Sequence, residues 1–530
     1  MLQNLATVAA DAGRSAESAS AWRQALALRP PTAASFRAAA AAFERAGELA
    51  EASRALASAA EREPSNWQHH YAHAHALMRM AATEAAEVAS DAGHNTAGWA
   101  LELVPGAPPR DGGRGGSGGG SGDSGVIKTD GGNGVTHGRG GAGDSTWHAP
   151  PSSLAPSFLV LEQRALSALA PISREPISLH ARLNSSAVPL WMRDGGRGVR
   201  SDGPPPRAPA ELLAAQAGRR AEAAAAGRQR GVILYKLGGS EAEMSNLKLS
   251  LWRLDRYFNR QHAYPILIAH DAPVAATTRR ALSRLSSGCL DLVLLQNQMP
   301  AHLPAAAVPD RVLGFSVQYR LMIRWKAGLM WRMPQLDEFD YVWSLDTDAF
   351  LLGPLSYDPF ALMAARNASY GYIDVNVETP EVADGLAECV ESFMRKHPQG
   401  PTLLDRFRRP HQWDGSKFYT NFQVARLDFG RAKGYRQLFE HVDEAGGIFT
   451  HRWGADPFMF LAATLLLHED QIVQFDDVPY LHQHLVANLP AEPPPDVPAR
   501  SGALPANRPL GASGKAAEGS DHEAGGWGQA

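Results

Sequence analysis

Cysteine is nearly absent: Cys289 and Cys389 are the only two in 530 residues. One disulfide is conceivable on that count, a disulfide framework is not, so the redox compartment stays open. No run of about 18 apolar residues occurs, which excludes a visible transmembrane helix. The opening "MLQNLATVAADAGRSAES" has no basic stretch followed by an apolar core, so no secretory leader is legible either. On these residues the chain reads as soluble, and a secretory protein would need a leader or anchor outside this sequence. Excess charge of one sign is missing too. Lys and Arg number 51 against 55 Asp and Glu, a net charge of −4. That balance gives no electrostatic footprint for nucleic acid or an anionic membrane.

What is present is enough apolar residue, 44%, for one large core and a smaller module. Residues 1–90 are alanine-rich and repeat themselves. "DAGRSAESASAWRQALALRP" aligns with "RAGELAEASRALASAAEREP", Gly13 on Gly47 and Pro30 on Pro64, an offset of 34 residues in each case. That is the tetratricopeptide period, with Phe36, Ala40, Phe43, Ala52, Leu56, Ala59 and Pro64 at its large, small and breaking positions. A generic alanine-rich helical stretch is the competing reading. Trp67 to about Leu77 is expected to be the first helix of a third unit, and binding of a protein partner or oligomerisation is the expected use of the repeats.

Residues 105–156 form a Gly/Ser-rich linker that cannot bury a core. Residues 157–230 read as an irregular and helical connecting region, and 489–530, rich in Pro, Ala, Gly and Ser, as a disordered tail. Between them, 231–488, short apolar runs (Val232–Leu237, Pro265–His270, Leu290–Leu295, Tyr341–Leu345, Tyr370–Val375) alternate with helical stretches such as "NLKLSLWRLDRYFNR" and "YRLMIRWKAGLMWRMP". This alternation predicts an α/β domain.

One stretch of that domain, "FDYVWSLDTDAFLLGPLSYDPF", sets two carboxylates in an apolar setting. Residues i and i+2 of a strand point the same way, so Asp346 and Asp348 converge beyond the C-terminal end of Tyr341–Leu345, where open α/β sheets bind ligands. Two oxygens there suit a hard divalent cation, Mn2+ or Mg2+. Carboxylates of a solvated turn would give the same triplet, and the residues alone leave both readings open.

Beyond the triplet, "NASYGY", "NFQVARLDFGRAKGYRQLFEHVDEAGGIFTHRWGADPFMFLAATLLL", "DDVPYLHQH" and, upstream, "DRYFNRQHAYPILIAHD" occur in an order that resembles glycosyltransferase family 15, the fungal-type α-1,2-mannosyltransferases, over about Gly231 to His484. The resemblance implies a GT-A (Rossmann-like) nucleotide-sugar domain. It implies Mn2+-dependent, retaining transfer of mannose from GDP-mannose to a mannose hydroxyl of a glycoprotein or glycolipid glycan. It assigns Asp346, Asp348 and His482 to the metal, and Tyr319, Arg320 and Asp346 to the donor. A Golgi or secretory setting follows from it, with Asn367 and Asn184 as candidate glycosylation sequons.

The departures from the family are specific. Asp346-Thr347-Asp348 stands where the family reads Glu-Pro-Asp. Gln423 replaces the glutamate of an Asn-Phe-Glu triplet, and a carboxamide cannot act as a carboxylate nucleophile. Asp456, the candidate acceptor contact or base, is shifted by one position in Arg452-Trp453-Gly454-Ala455-Asp456-Pro457. The family's donor-loop arginine has no counterpart near Gly238 and Gly239, with Lys236 as its substitute. Gln423 is therefore expected at the reaction centre in a changed role. The alternatives are a GT-A transferase with another donor sugar, or an inactive homologue serving as a repeat scaffold.

Overall fold

The computed structural model describes residues 2–28, 31–91, 156–185, 229–398, 400–409 and 412–498. Its N-terminal part is a run of helices, α1 (Leu2–Asp11), α2 (Ser15–Leu28), α3 (Ala33–Arg45), α4 (Leu49–Arg62) and α5 (Trp67–Asp91), each packed on the next. Alanine makes this stacking close: Ala6, Ala19, Ala39, Ala40, Ala52 and Ala59 are buried between helices. Phe43 and Leu56 fill the spaces they leave. Gly13 and Gly47, the two glycines matched in the sequence, both turn with positive φ, +71° and +79°, a conformation that side chains disfavour. Pro30, the other half of that match, lies outside the described residues.

The third unit departs from expectation. Helix α5 does not stop near Leu77 but continues to Asp91. It packs on α6 (Pro156–Leu169), the first described element after the glycine-rich stretch. Ala74, Leu77, Met78, Ala81 and Ala82 of α5 and Phe158, Ala165 and Leu169 of α6 share one core with the sheet of the larger domain. Glu162 of α6, 1% exposed, pairs with Arg253 at 2.9 Å. So residues 156–169 are not a connection but a layer of the larger domain. The alanine-rich segment that precedes Arg230 and residues 105–155 of the linker lie outside the described residues.

The larger domain is built on a seven-stranded sheet. Its strands are β1 (Gly231–Leu237), β2 (Ile266–His270), β3 (Leu290–Leu294), β4 (Tyr341–Leu345), β6 (Tyr370–Tyr372), β7 (Phe422–Arg426) and β8 (Ile472–Gln474). They lie in the order β8-β6-β7-β4-β1-β2-β3. β4, β1, β2 and β3 are mutually parallel. β7 runs antiparallel between β4 and β6. Two apolar cores cover the two faces of the sheet, which is why these strands read as continuous hydrophobic runs and not as alternations. Tyr370–Val375, expected as one strand, is split at Ile373 and Asp374 into β6 and a short strand Val375–Val377.

A small sheet decides the site. β5 (Phe350–Leu351) follows the carboxylate pair directly and pairs antiparallel with β9 (Tyr480–His482), which pairs in turn with β10 (Leu485–Ala487). The register Tyr480↔Leu351 and Leu481↔Phe350 carries the next residue, His482, to the turn that holds Asp348. After β10 the chain read as a tail stays packed as far as residue 498. Asp496 pairs with Arg256 and, at 3.0 Å, with Arg260, while the Val497 N–H donates to the Arg256 carbonyl at 3.1 Å. The remaining tail residues, 499–530, lie outside the described residues. Both cysteines are free thiols.

Candidate active site

Asp346, Asp348 and His482 converge: one ligand atom from each lies within 4.8 Å of the others. His482 Nε2 stands 3.1 Å from Asp348 Oδ1 and 3.7 Å from Asp346 Oδ2. Cis ligands about 2.2 Å from an octahedral ion are themselves about 3.1 Å apart, so the donor set fits a divalent cation. A second contact supports this. His482 Nδ1 lies 3.0 Å from the Tyr419 hydroxyl, which also donates to the His482 carbonyl at 3.4 Å. With the Tyr419 proton used there, Nδ1–H is the donor to the hydroxyl oxygen and Nε2 keeps its lone pair toward the carboxylates.

The three groups perturb one another. Burial pushes the Asp348 carboxyl up, but the His482 imidazole outweighs it and leaves the acid well below its usual range. Burial pulls the imidazole down, and Asp348 and Asp346 together raise it above its ordinary value. The Gln483 carboxamide donates to Asp348 Oδ2 at 3.2 Å.

These residues sit in a cavity of about 850 Å³ at the C-terminal ends of β1 and β4. One wall is a stripe of helix α7 (Val317–Ala327): Tyr319, Met322, Ile323 and Lys326, at helical spacing i, i+3, i+4 and i+7. Lys326 was not singled out in the sequence, although its spacing from Tyr319 marks it. Its ammonium is buried and lies 2.7 Å from Asp346 Oδ1. Burial lowers its pKa, and the carboxylates of Asp346 and Asp456 more than reverse that.

Arg320 does not join them. One residue past Tyr319, it points about 100° away and is fully buried. Its guanidinium donates to the carbonyls of Ser316 (3.3 Å), Asp310 (3.1 Å), Pro309 and Phe449. It is a clamp on the backbone, not a donor-pocket cation. The arginine in the cavity is Arg452, at a positive φ of 65°. It donates to the Tyr319 hydroxyl at 2.9 Å and lies over the Phe315 ring. Its buried Nε has no partner among the described residues.

Gln423 also misses the cavity. Phe422 and Val424 of β7 pack into one core and Gln423 points into the other side, fully buried, with its Oε1 accepting from the Tyr370 hydroxyl at 3.2 Å. Its Nε2 has no partner among the described residues. A role in direct contact with substrate is therefore withdrawn for Gln423. Asp456 does line the cavity despite the shifted motif, because it lies in the first turn of α8 (Ala455–Leu466), where Thr420 Oγ1 donates to its carboxylate. Glu378, missed in the sequence, is a further carboxylate of the wall and accepts from Lys417 at 3.0 Å.

At the far end Lys236 pairs with Asp271 at 2.5 Å, beside Gly238 and Gly239. Asn367 is exposed at positive φ before β6 and accepts from Arg426 at 2.8 Å. The side chain of Asn184, in the short helix Leu179–Ser185, lies outside the described residues.

Residues 214–493 match the model of the family described as glycolipid 2-alpha-mannosyltransferase. The chain is 29% identical over 272 residues to the probable mannosyltransferase KTR3 of Saccharomyces cerevisiae, covering 48% of this chain and 67% of that one. It is 29% identical over 258 residues to glycolipid 2-alpha-mannosyltransferase 1 of Candida albicans, covering 46% and 60%. Among solved structures, core-mannan synthase A of Aspergillus fumigatus in its Mn/GDP form superposes with a TM-score of 0.45 at 20% identity, over 48% of this chain and 75% of that one. The chain thus spans about two thirds of the length of these curated relatives, and α1–α6 lie outside the matched segment.

Proposed function

The chain belongs to the glycolipid 2-alpha-mannosyltransferase family, a family of glycosyltransferases, and on that footing we propose that it is a GT-A-type, retaining α-1,2-mannosyltransferase. It moves mannose from GDP-mannose to a mannose hydroxyl of a glycan, in the secretory pathway, and uses Mn2+, with Mg2+ as the alternative. The observation that carries this reading is the meeting of Asp346, Asp348 and His482 within 4.8 Å in a cavity that also holds Lys326 and Arg452. Two carboxylates and an imidazole suit Mn2+ better than Mg2+. When bound, such an ion supplies Lewis-acid stabilisation of the diphosphate leaving group.

The protein groups do the rest. The ammonium of Lys326 and the guanidinium of Arg452 face the cavity and offset charge that grows on the departing diphosphate. With the Gln423 carboxamide closed off from the cavity, no carboxylate at that position can form a covalent sugar intermediate. The acceptor hydroxyl then attacks C1 from the face the diphosphate leaves. The new C1–O bond forms as the C1–O–phosphate bond breaks, and the hydroxyl proton passes to the departing phosphate oxygen. Asp456, held by Thr420, orients that hydroxyl.

The test is GDP release from GDP-mannose with an α-mannoside acceptor and Mn2+, expected in the full chain and lost in Asp348→Ala while its melting curve stays cooperative. Tighter binding of UDP-sugars than of GDP-mannose would overturn the donor assignment. The tetratricopeptide identity of α1–α5 and a protein partner for it belong to the same proposal and are tested separately, by the loss of that partner on deleting residues 1–62.

A further inference from the structure

Helix α5 lies outside the matched residues 214–493, yet one of its faces packs beside residues that line the cavity. Trp67, Tyr71 and His75 repeat at i, i+4 and i+8, the spacing of a single helical face. The Trp67 ring is 5.6 Å from the ring of His484, a cavity residue, in an edge-on arrangement. Tyr71 and His75 stack at 6.0 Å, and His75 lies 5.6 Å from Phe350, two residues past Asp348. His75 also lies beside Asn246, another cavity residue, and burial holds it neutral, with its pKa pulled down to about 3.

From these contacts we infer that α5 is the outer wall of the acceptor site, with Trp67, Tyr71 and His484 forming a subsite for a neutral sugar unit of the glycan. This rests on the mannosyltransferase reading. The chemistry of the wall selects the occupant. Trp67 and Tyr71 carry no charge, whereas the cations that would meet a diphosphate, Lys236, Lys326 and Arg452, line the cavity proper. A half-buried indole presents an apolar plate to the C–H face of a pyranose ring. The Tyr71 hydroxyl has no hydrogen-bond partner among the described residues, and its ring is only half-buried, so it is available to a sugar hydroxyl. The wall cannot swing away as a tethered module would, because α5 shares its core with the sheet through Leu77, Met78 and Ala81.

The experiment is calorimetric titration of the full chain with α-linked mannotriose and with methyl α-mannoside, without donor. The wild type is expected to prefer the trisaccharide. Trp67→Ala should weaken trisaccharide binding about tenfold, one aromatic contact's worth, and bring it down to the level of the monosaccharide. Trp67→Phe should recover part of the loss, and Tyr71→Phe, which keeps the ring, should lose a smaller part. Trisaccharide binding that is equal in wild type, Trp67→Ala and Tyr71→Phe overturns the subsite, as does a wild type with no preference for the longer glycan. Should Trp67→Ala fold poorly, Trp67→Phe and Tyr71→Phe carry the comparison. Because no turnover is read, failure of GDP release from GDP-mannose would count against the enzyme reading alone.

Discussion

Tyr419→Phe removes a single oxygen from the proposed metal centre. That oxygen lies 3.0 Å from His482 Nδ1 and 3.4 Å from the His482 carbonyl. The ring remains, edge-on to His482 and beside His484 at 5.3 Å from each, so packing is conserved. What is lost is the partner that fixes the imidazole's tautomer and aim. Removing such a partner behind a metal-bound histidine costs about 10–100-fold in metal affinity, which is about 1.4–2.7 kcal/mol. The buried Nδ1–H left without an acceptor separately costs about 1–3 kcal/mol of fold stability, with or without the metal. The assay is Mn2+ titration followed by melting temperature and by Mn2+ activation of GDP release. The midpoint should rise 10–100-fold, with turnover largely restored at saturating Mn2+. A midpoint within threefold of the wild type would show that the β9–β5 register alone aims His482, and the second contact would be incidental.

Other outcomes follow from the same geometry. Glu162→Ala strands the guanidinium of Arg253, whose side chain is fully buried, and should cost about 3–5 kcal/mol, lowering the melting temperature by about 10 °C; a drop under 2 °C would mean that α6 is not welded to the sheet. Gln423→Glu puts a charge where exposure is 0% and should destabilise the fold by several kcal/mol without raising turnover, so a gain in GDP release would refute the position assigned to this side chain. In metal-free protein the pH dependence has two arms. His482, raised in the fold, contributes stability that is complete below its unfolded value of about 6.5 and is lost as pH rises through the folded one. Asp348, depressed in the fold, contributes above about 3.9 and loses its share as pH falls toward its folded value. The pair is therefore fully stabilising between about pH 4 and 6.5, and His482→Ala should flatten both arms of the melting-temperature profile. Saturating Mn2+ should reverse the upper arm, because the imidazole must be neutral to bind an ion.

The apolar runs of the sheet were legible because each strand is covered on both faces and needs no alternation. Asp346 and Asp348 were legible as a convergent pair because the strand repeat is two residues. His482 was not, as far as spacing goes. It comes to the pair through a register between β5 and β9, segments more than a hundred residues apart, and only the family resemblance suggested it. Arg320 and Lys326 show the opposite failure. The family resemblance pointed to Arg320, whereas counting helical turns from Tyr319 favours Lys326. Gln423 was placed by motif, while the alternation of β7 sends it away from the cavity.

What could be read along the chain is local repetition: helices that pack through alanine, buried parallel strands, two carboxylates aimed at one point. These depend on propensity, periodicity and burial of nearby residues, which the chain carries locally. Which groups meet was settled by packing across the fold. It brought His482 to the carboxylates, buried Arg320 among carbonyls, and fused α5 and α6 to the sheet. The reason is physical: an apolar stripe states that a face must be covered but not by which element, and a polar side chain becomes a ligand or a clamp according to which groups share its burial.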